Sequence, residues 1–204
     1  PKKFNLIELG AGNGEMMVNI IKTFEKFPFF KKCYKIHILE ISSYLKKIQK
    51  KKLKKKNIKW IKNLDEISKE PNIFIANEFF DALPIKQFIK KKNKWYERNV
   101  KISKLKSPEF FDMLTDINKL EKKIGFNISF KQNFIEYSPL LVDYLKKISK
   151  KINNNNGGIL IIDYGYINNQ MKNTLQSVLK HKFNNVLNNF SNSDITYNLN
   201  FKLI

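Results

Sequence analysis

The stretch from Lys3 to Gly14 constrains this chain more than any other. Lys3-Phe4-Asn5-Leu6-Ile7-Glu8-Leu9 has the pattern of a short apolar strand, Gly10-Ala11-Gly12-Asn13-Gly14 follows at once, and a helical pattern begins at Glu15. Strand, glycine-rich turn and helix in this order form a nucleotide cradle. Glycines let the backbone pass tightly under a ligand, and the helix N-terminus points free N–H groups at it. The plainer alternative is a turn that only packs helix on strand, and three alternating glycines weigh against it.

Spacing narrows the ligand. A dinucleotide fingerprint, G-x-G-x-x-G, would put its third glycine at position 15. Glu15 stands there, and the glycine comes one residue earlier, so the run is E-x-G-x-G-x-G from Glu8 to Gly14. A carboxylate at the head of the turn repels a pyrophosphate and attracts a cation. S-adenosylmethionine carries a cationic amino group and a sulfonium, and no phosphate. The run resembles motif I of the class I S-adenosylmethionine-dependent methyltransferases, with a nicotinamide or flavin site as the competing reading.

The chain has 204 residues, enough for one domain with a sizeable core, and 42% of them are hydrophobic. Apolar runs such as Ile159-Leu160-Ile161-Ile162 are far too short to span a bilayer. The first strand begins almost at the first residue and the last is an apolar stretch with no closing helix, so a piece cut at both ends is expected. Cys33 is the one cysteine. It rules out an intramolecular disulfide or a cysteine zinc site, no metal site is expected, and a reducing, cytoplasm-like compartment fits. The formal net charge is +21, which suggests nucleic acid or an anionic surface, yet Arg98 is the only arginine. Phosphate and base recognition recruits arginine for its bidentate fork. A lysine excess spread over the whole chain is read as solvated surface, which argues against a nucleic-acid partner.

In chain order, residues 15–27 form a helix with Met17, Ile20, Ile21 and Phe24 on one face. A second strand, residues 35–40, ends on Glu40. An acidic residue there hydrogen-bonds ribose hydroxyls in doubly wound folds. His37, alone in this strand, is read as a packed or edge residue. Ser42 or Ser43 caps the next helix, which runs into the basic stretch Lys50 to Lys56. Residues 57–61 form the third strand, followed by Asn63 and Leu64 where an adenine ring would lie. Then comes Asn72-Ile73-Phe74-Ile75-Ala76-Asn77-Glu78-Phe79-Phe80-Asp81-Ala82-Leu83-Pro84, an apolar strand ending in a polar, acidic turn. One turn of helix would place Glu78 and Asp81 on one side. Two carboxylates there suit a cationic acceptor.

Four stretches now fall into a known order: Glu8 to Gly14, Asn77-Glu78-Phe79-Phe80-Asp81-Ala82-Leu83-Pro84, Glu136-Tyr137-Ser138-Pro139 and Ile161-Ile162-Asp163-Tyr164-Gly165-Tyr166. Thr174-Leu175-Gln176, His181-Lys182-Phe183 and Asp194-Ile195-Thr196 continue it. This order resembles the MidA-like methyltransferases over essentially the whole chain. Tyr137 and Asn173 depart from the family pattern, where isoleucine and glycine are usual, and residues 104–130 match poorly.

The resemblance implies an α/β, doubly wound, Rossmann-like class I methyltransferase sheet, with an insertion at about 85–135 that shapes the acceptor side. It implies S-adenosyl-L-methionine as cofactor, held by Glu8, Gly10, Gly12, Gly14, Glu40, Asn63 and Leu64. Asn77, Glu78 and Asp81 would align the acceptor as the catalytic set. The implied reaction is protein-arginine N-methylation of an NADH dehydrogenase (complex I) subunit. The compartment would be bacterial cytoplasm, or the mitochondrial matrix in a eukaryote. An RNA methyltransferase and a non-catalytic S-adenosylmethionine-binding assembly factor are the alternatives.

Within the insertion, residues 85–89 and 95–100 pair around Lys92-Asn93-Lys94 as a hairpin, and residues 109–124 are helical in part. Glu136 is expected to face the ligand crevice. Ser138 caps a helix over residues 138–152 with Pro139 in its first position. Residues 159–163 form a fully apolar fifth strand, expected to be central, with late strands at 175–178 and 195–201. His181 is the better histidine for chemistry, but arginine methylation needs no strong base.

Overall fold

The structure, a computed structural model, describes residues 2–54 and 57–204. Lys55 and Lys56, the end of the basic stretch, lie outside the described residues. The chain divides into two compact units. One comprises Pro1–Phe79 with Leu145–Asp163, the other Phe80–Tyr144 with Tyr164–Ile204.

The first unit is built on β1 (Phe4–Leu9), α1 (Glu15–Phe24), β2 (Tyr34–Leu39), α2 (Ser43–Leu53), β3 (Ile58–Ile61) and β4 (Asn72–Asn77). The sheet they form is parallel, and the expected α/β class holds. β1 is almost wholly buried, as the central strand of a parallel sheet must be. Leu6, Ile36 and Ile38 pack with Met17 and Ile21 of α1 and Leu53 of α2. This is the apolar face that the helical spacing predicts. α1 stops at Phe24, three residues before the expected end, and a short 3-10 turn at Phe30–Lys32 leads into β2. Ser42 is the cap of α2, its hydroxyl accepting from the Leu45 N–H at 3.2 Å. His37 is buried, with Nε2 3.2 Å from Asn5 Oδ1, so the packed reading holds.

In the second unit, β5 (Lys86–Lys91), β6 (Lys94–Ile102), β7 (Pro108–Thr115), α3 (Ile117–Ile124) and β8 (Phe134–Tyr137) precede α4 (Pro139–Asn155), which runs on into the first unit. The expected hairpin is β5–β6, with its turn at Lys92 and Asn93, both at positive φ. Residues 109–124 are half strand and half helix, because Asp116 breaks the run as the N-cap of α3. The resulting antiparallel sheet has the order β7-β6-β5-β8. Ser138 caps α4, accepting from the Leu141 N–H at 3.2 Å.

β9 (Gly157–Ile162) completes the parallel sheet, whose order is β3-β2-β1-β4-β9. The fully apolar strand is therefore an edge strand and not a central one. Leu160 and Ile162 are 55% and 47% exposed. An apolar run demands cover on its faces but does not specify its place in the strand order. The late strands form, as β10 (Gly165–Tyr166), β11 (Gln176–Leu179), β12 (Lys182–Asn184), β13 (Asp194–Thr196) and β14 (Leu199–Asn200). They do not join the parallel sheet. β12-β11-β13 and β10-β14 are small sheets of their own.

Candidate cofactor site

The strand order reverses direction between β1 and β4, which is where open parallel sheets bind ligands, outside the carboxyl ends of the strands. The glycine turn follows β1 at this point. Gly10, Gly12 and Gly14 all sit at positive φ, 66°, 51° and 85°, a conformation that other residues adopt at a cost. Gly14 is the N-cap of α1 and supplies no side-chain cap, so the helix's first N–H groups are not closed off by their own cap residue. A Cβ on Gly12 would meet nothing within 4 Å, so the turn is open at its middle glycine. A Cβ on Gly10 would lie 2.6 Å from the Phe79 ring, so this aromatic sits close against the turn where only a glycine leaves room for it.

Two buried carboxyl groups flank the turn. Glu8 is 2% exposed, at the second-last position of β1, and its Oε2 has no hydrogen-bond partner. Burial pushes its pKa up to about 7. An unpaired buried carboxylate is costly, and a cation beside it removes that cost. Glu40 follows β2 directly, and each of its oxygens is engaged once. Oε1 accepts the Ser42 N–H at 2.8 Å, and Oε2 accepts Gln49 Nε2 at 2.9 Å. A carboxylate has about four lone-pair sites, so both oxygens can accept again from a pair of hydroxyls.

Gln49 is a buried neighbour of the turn and of Glu40 that the sequence did not disclose. It lies on α2, is fully buried, and its Nε2 also donates to the Gly12 carbonyl at 2.8 Å. Its Oε1 accepts from Trp60 Nε1 at 2.9 Å. Asn63 caps the short 3-10 turn Leu64–Glu66, its Oδ1 accepting from the Asp65 N–H at 2.9 Å, and Leu64 is buried. These residues belong to the first unit, as do Asn77 and Glu78 at the end of β4.

Glu78 is exposed and adopts φ 46°, left-handed for a non-glycine residue, while its N–H donates to the Ile162 carbonyl at 2.9 Å. Residues 78–84 form bends and a turn, not the single helical turn expected, so Asp81 caps no helix. Asp81 belongs to the second unit, is buried, and its carbonyl accepts the Tyr197 N–H at 3.2 Å.

Glu136 is not free to face a ligand. It is buried and accepts Gln87 Nε2 at 2.6 Å and the Thr174 N–H at 3.0 Å and hydroxyl at 2.5 Å. The Glu136 and Thr174 motifs thus meet in one structural tie. His181 sits exposed at positive φ in the turn between β11 and β12.

A family model described as "Putative S-adenosyl-L-methionine-dependent methyltransferase" matches residues 1–204. The chain belongs to this family. Its curated relatives include the mitochondrial protein arginine methyltransferase NDUFAF7 of Xenopus tropicalis, 27% identical over all of this chain and 53% of the relative. The human protein of that name is 25% identical over 98% of this chain and 51% of its own length. The Caenorhabditis elegans homologue is 28% identical over 97% and 51%. The chain thus spans about half the length of the curated relatives it matches.

Two solved structures from Burkholderia thailandensis share the fold. They superpose with TM-scores of 0.77 and 0.74 at 18% identity, over 98% of this chain and 55% and 54% of theirs. The second was solved bound to S-adenosyl-homocysteine. The methyl donor that the family description names fits the residues present. The orphaned carboxyl oxygen of Glu8 suits a cation, and the open face at Gly12 admits a close approach.

Proposed function

We propose that this protein carries the cofactor-binding part of a class I methyltransferase that transfers a methyl group to arginine side chains of a protein. The observation that carries this reading is Glu8, a buried carboxyl with an unpartnered oxygen beside an open glycine turn. When bound, S-adenosyl-L-methionine supplies an electrophilic methyl carbon on a cationic sulfonium.

In this reading Glu8 attracts the cationic amino acid end, and Gly10, Gly12 and Gly14 let the backbone come close. Glu40 accepts from the ribose hydroxyls, while Asn63 and Leu64 border the base. Asn77, Glu78 and Asp81 orient the acceptor guanidinium and disfavour uncharged acceptors. Their contribution is positioning, and no strong base is required. The relatives named as arginine methyltransferases support arginine as the acceptor. An NADH dehydrogenase subunit is the acceptor we propose. The proposed compartment is the mitochondrial matrix in a eukaryote, in line with the relatives' names, or the cytoplasm in a bacterium.

The test is transfer of labelled methyl groups from S-adenosylmethionine into whole-cell protein and RNA pools, with Glu40→Ala as control. Label in methylarginine of a complex I subunit, lost in the variant, is the expected result. Label confined to RNA would replace the acceptor assignment. An absence of cofactor binding by the protein, in calorimetry, would overturn the methyltransferase reading itself.

A further inference from the structure

The amide of Gln49 uses all of its main hydrogen-bonding directions on three different elements. One N–H goes to the Gly12 carbonyl in the glycine turn, at 2.8 Å, and the other to Glu40 Oε2 after β2, at 2.9 Å. The oxygen accepts from Trp60 on β3, at 2.9 Å. An indole N–H can only donate, so the amide's orientation is fixed by chemistry: the oxygen must face Trp60 and the nitrogen the two acceptors. Gln49 is fully buried, and its Cγ lies 3.6 Å from where a Cβ on Gly14 would stand. No other side chain in the described residues joins the glycine turn to Glu40 in this way.

We propose that Gln49 is a positioning residue of the cofactor site, setting the separation of the glycine turn and Glu40 and reporting their occupancy to Trp60. The inference rests on the methyl-donor reading above. Gly12 belongs to the turn that approaches the ligand backbone, and Glu40 to the carboxylate that receives the ribose. The two are far apart in sequence; the pairing of β1 with β2 brings their strand ends together, and the Gln49 amide adds a direct side-chain tie between the turn and the carboxylate. A ligand that draws on the free lone pairs of Glu40 changes the charge density on the oxygen that Gln49 binds. The change passes through the amide to the indole N–H, where emission reads it. Lys50 lies over the same indole, 5.6 Å from its centroid.

The experiment measures S-adenosylmethionine affinity by calorimetry and, in a Trp95→Phe background, the emission of Trp60, on the full chain. Trp60 and Trp95 are the only tryptophans, so the background isolates the reporter. Gln49→Met keeps the shape and removes the three hydrogen bonds. Folded Gln49→Met protein, by circular dichroism and melting, is expected to bind the ligand at least tenfold more weakly and to lose the ligand-induced change in Trp60 emission. Gln49→Glu provides a second arm if the methionine variant does not fold. At pH 8 its new carboxylate faces Glu40 and the Gly12 carbonyl and repels both. At pH 6, partly protonated, it regains a donor. The affinity of that variant relative to the parent's at the same pH is expected to rise severalfold on going from pH 8 to pH 6, because protonation of Glu8 over that range acts on both proteins alike.

Affinity within threefold of the parent in folded Gln49→Met, or no recovery in Gln49→Glu, overturns the inference and leaves the methyltransferase reading intact. Failure of the parent protein to bind overturns that reading instead, so the two failures are distinct.

Discussion

Glu8 holds the sharpest tension between folding and function. Its carboxyl is raised by burial from the usual 4.5 to about 7. The folded state therefore binds a proton more tightly than the unfolded state. The stability associated with the neutral form is complete below pH 4.5, declines as pH rises, and is lost above about pH 7. The shift corresponds to about 3 kcal/mol of lost stability at alkaline pH. Denaturant titrations of the ligand-free protein from pH 4.5 to 8 should show this fall, and Glu8→Gln should flatten it. An equally steep profile in the variant would locate the effect elsewhere. Glu78 poses the complementary case. Its side chain is exposed and its backbone left-handed, so it is held where it stands at a cost of about 1 kcal/mol. Glu78→Gln keeps the backbone and removes the charge. Methyl transfer should fall at least tenfold while S-adenosylmethionine affinity stays within twofold. Equal losses in both would reassign Glu78 to the cofactor.

At the scale of elements, turn and cap chemistry is local and was legible. The β5–β6 turn places Lys92 and Asn93 at φ 46° and 59°, the geometry that Asn-Gly fills without strain. Lys92→Asn with Asn93→Gly should therefore stabilise the second unit by about 0.5 kcal/mol, read as a shifted denaturation midpoint. The Ser138 cap of α4 should be worth about 1 kcal/mol, lost in Ser138→Ala. An unchanged midpoint in that variant would show that another group satisfies the first turn of α4. Glu78 to Asp81 was less legible. Spacing of three residues is consistent with a helical turn, but the chain passes through a left-handed residue at Glu78, and no local signal announces that at a glutamate.

For the molecule as a whole, charge is the dominant long-range term. A formal charge of +21 on 204 residues opposes compaction through self-repulsion, and added salt screens it. Melting temperature should rise as sodium chloride is increased from about 20 to about 200 mM at pH 7. A flat or falling response would mean that local ion pairs, such as Lys91–Asp112 and Lys86–Glu97, already offset the excess. The charge also sets a check on the acceptor: RNA association driven by it should weaken steeply over the same range.

The amino-acid sequence by itself determined the class of the fold and the place of the glycine turn. Alternating glycines, strand periodicity and helix caps act over a few residues, so their consequences can be read where they stand. Gly10 to Gly14, the Ser42 and Ser138 caps and the β5–β6 hairpin are of this kind. The tertiary structure alone decided which distant groups meet. Gln49 reaches Gly12 across 37 positions, and Glu136 reaches Thr174 across 38. Neither pair has a periodic signature, because one amide or one carboxylate on a helix or strand does not declare its partner. The same holds for β9, whose apolar residues declared a need for cover while only the pairing with β4 revealed an edge. Local chemistry fixes the elements, and the hydrogen-bond demands of buried polar groups decide how the elements are joined.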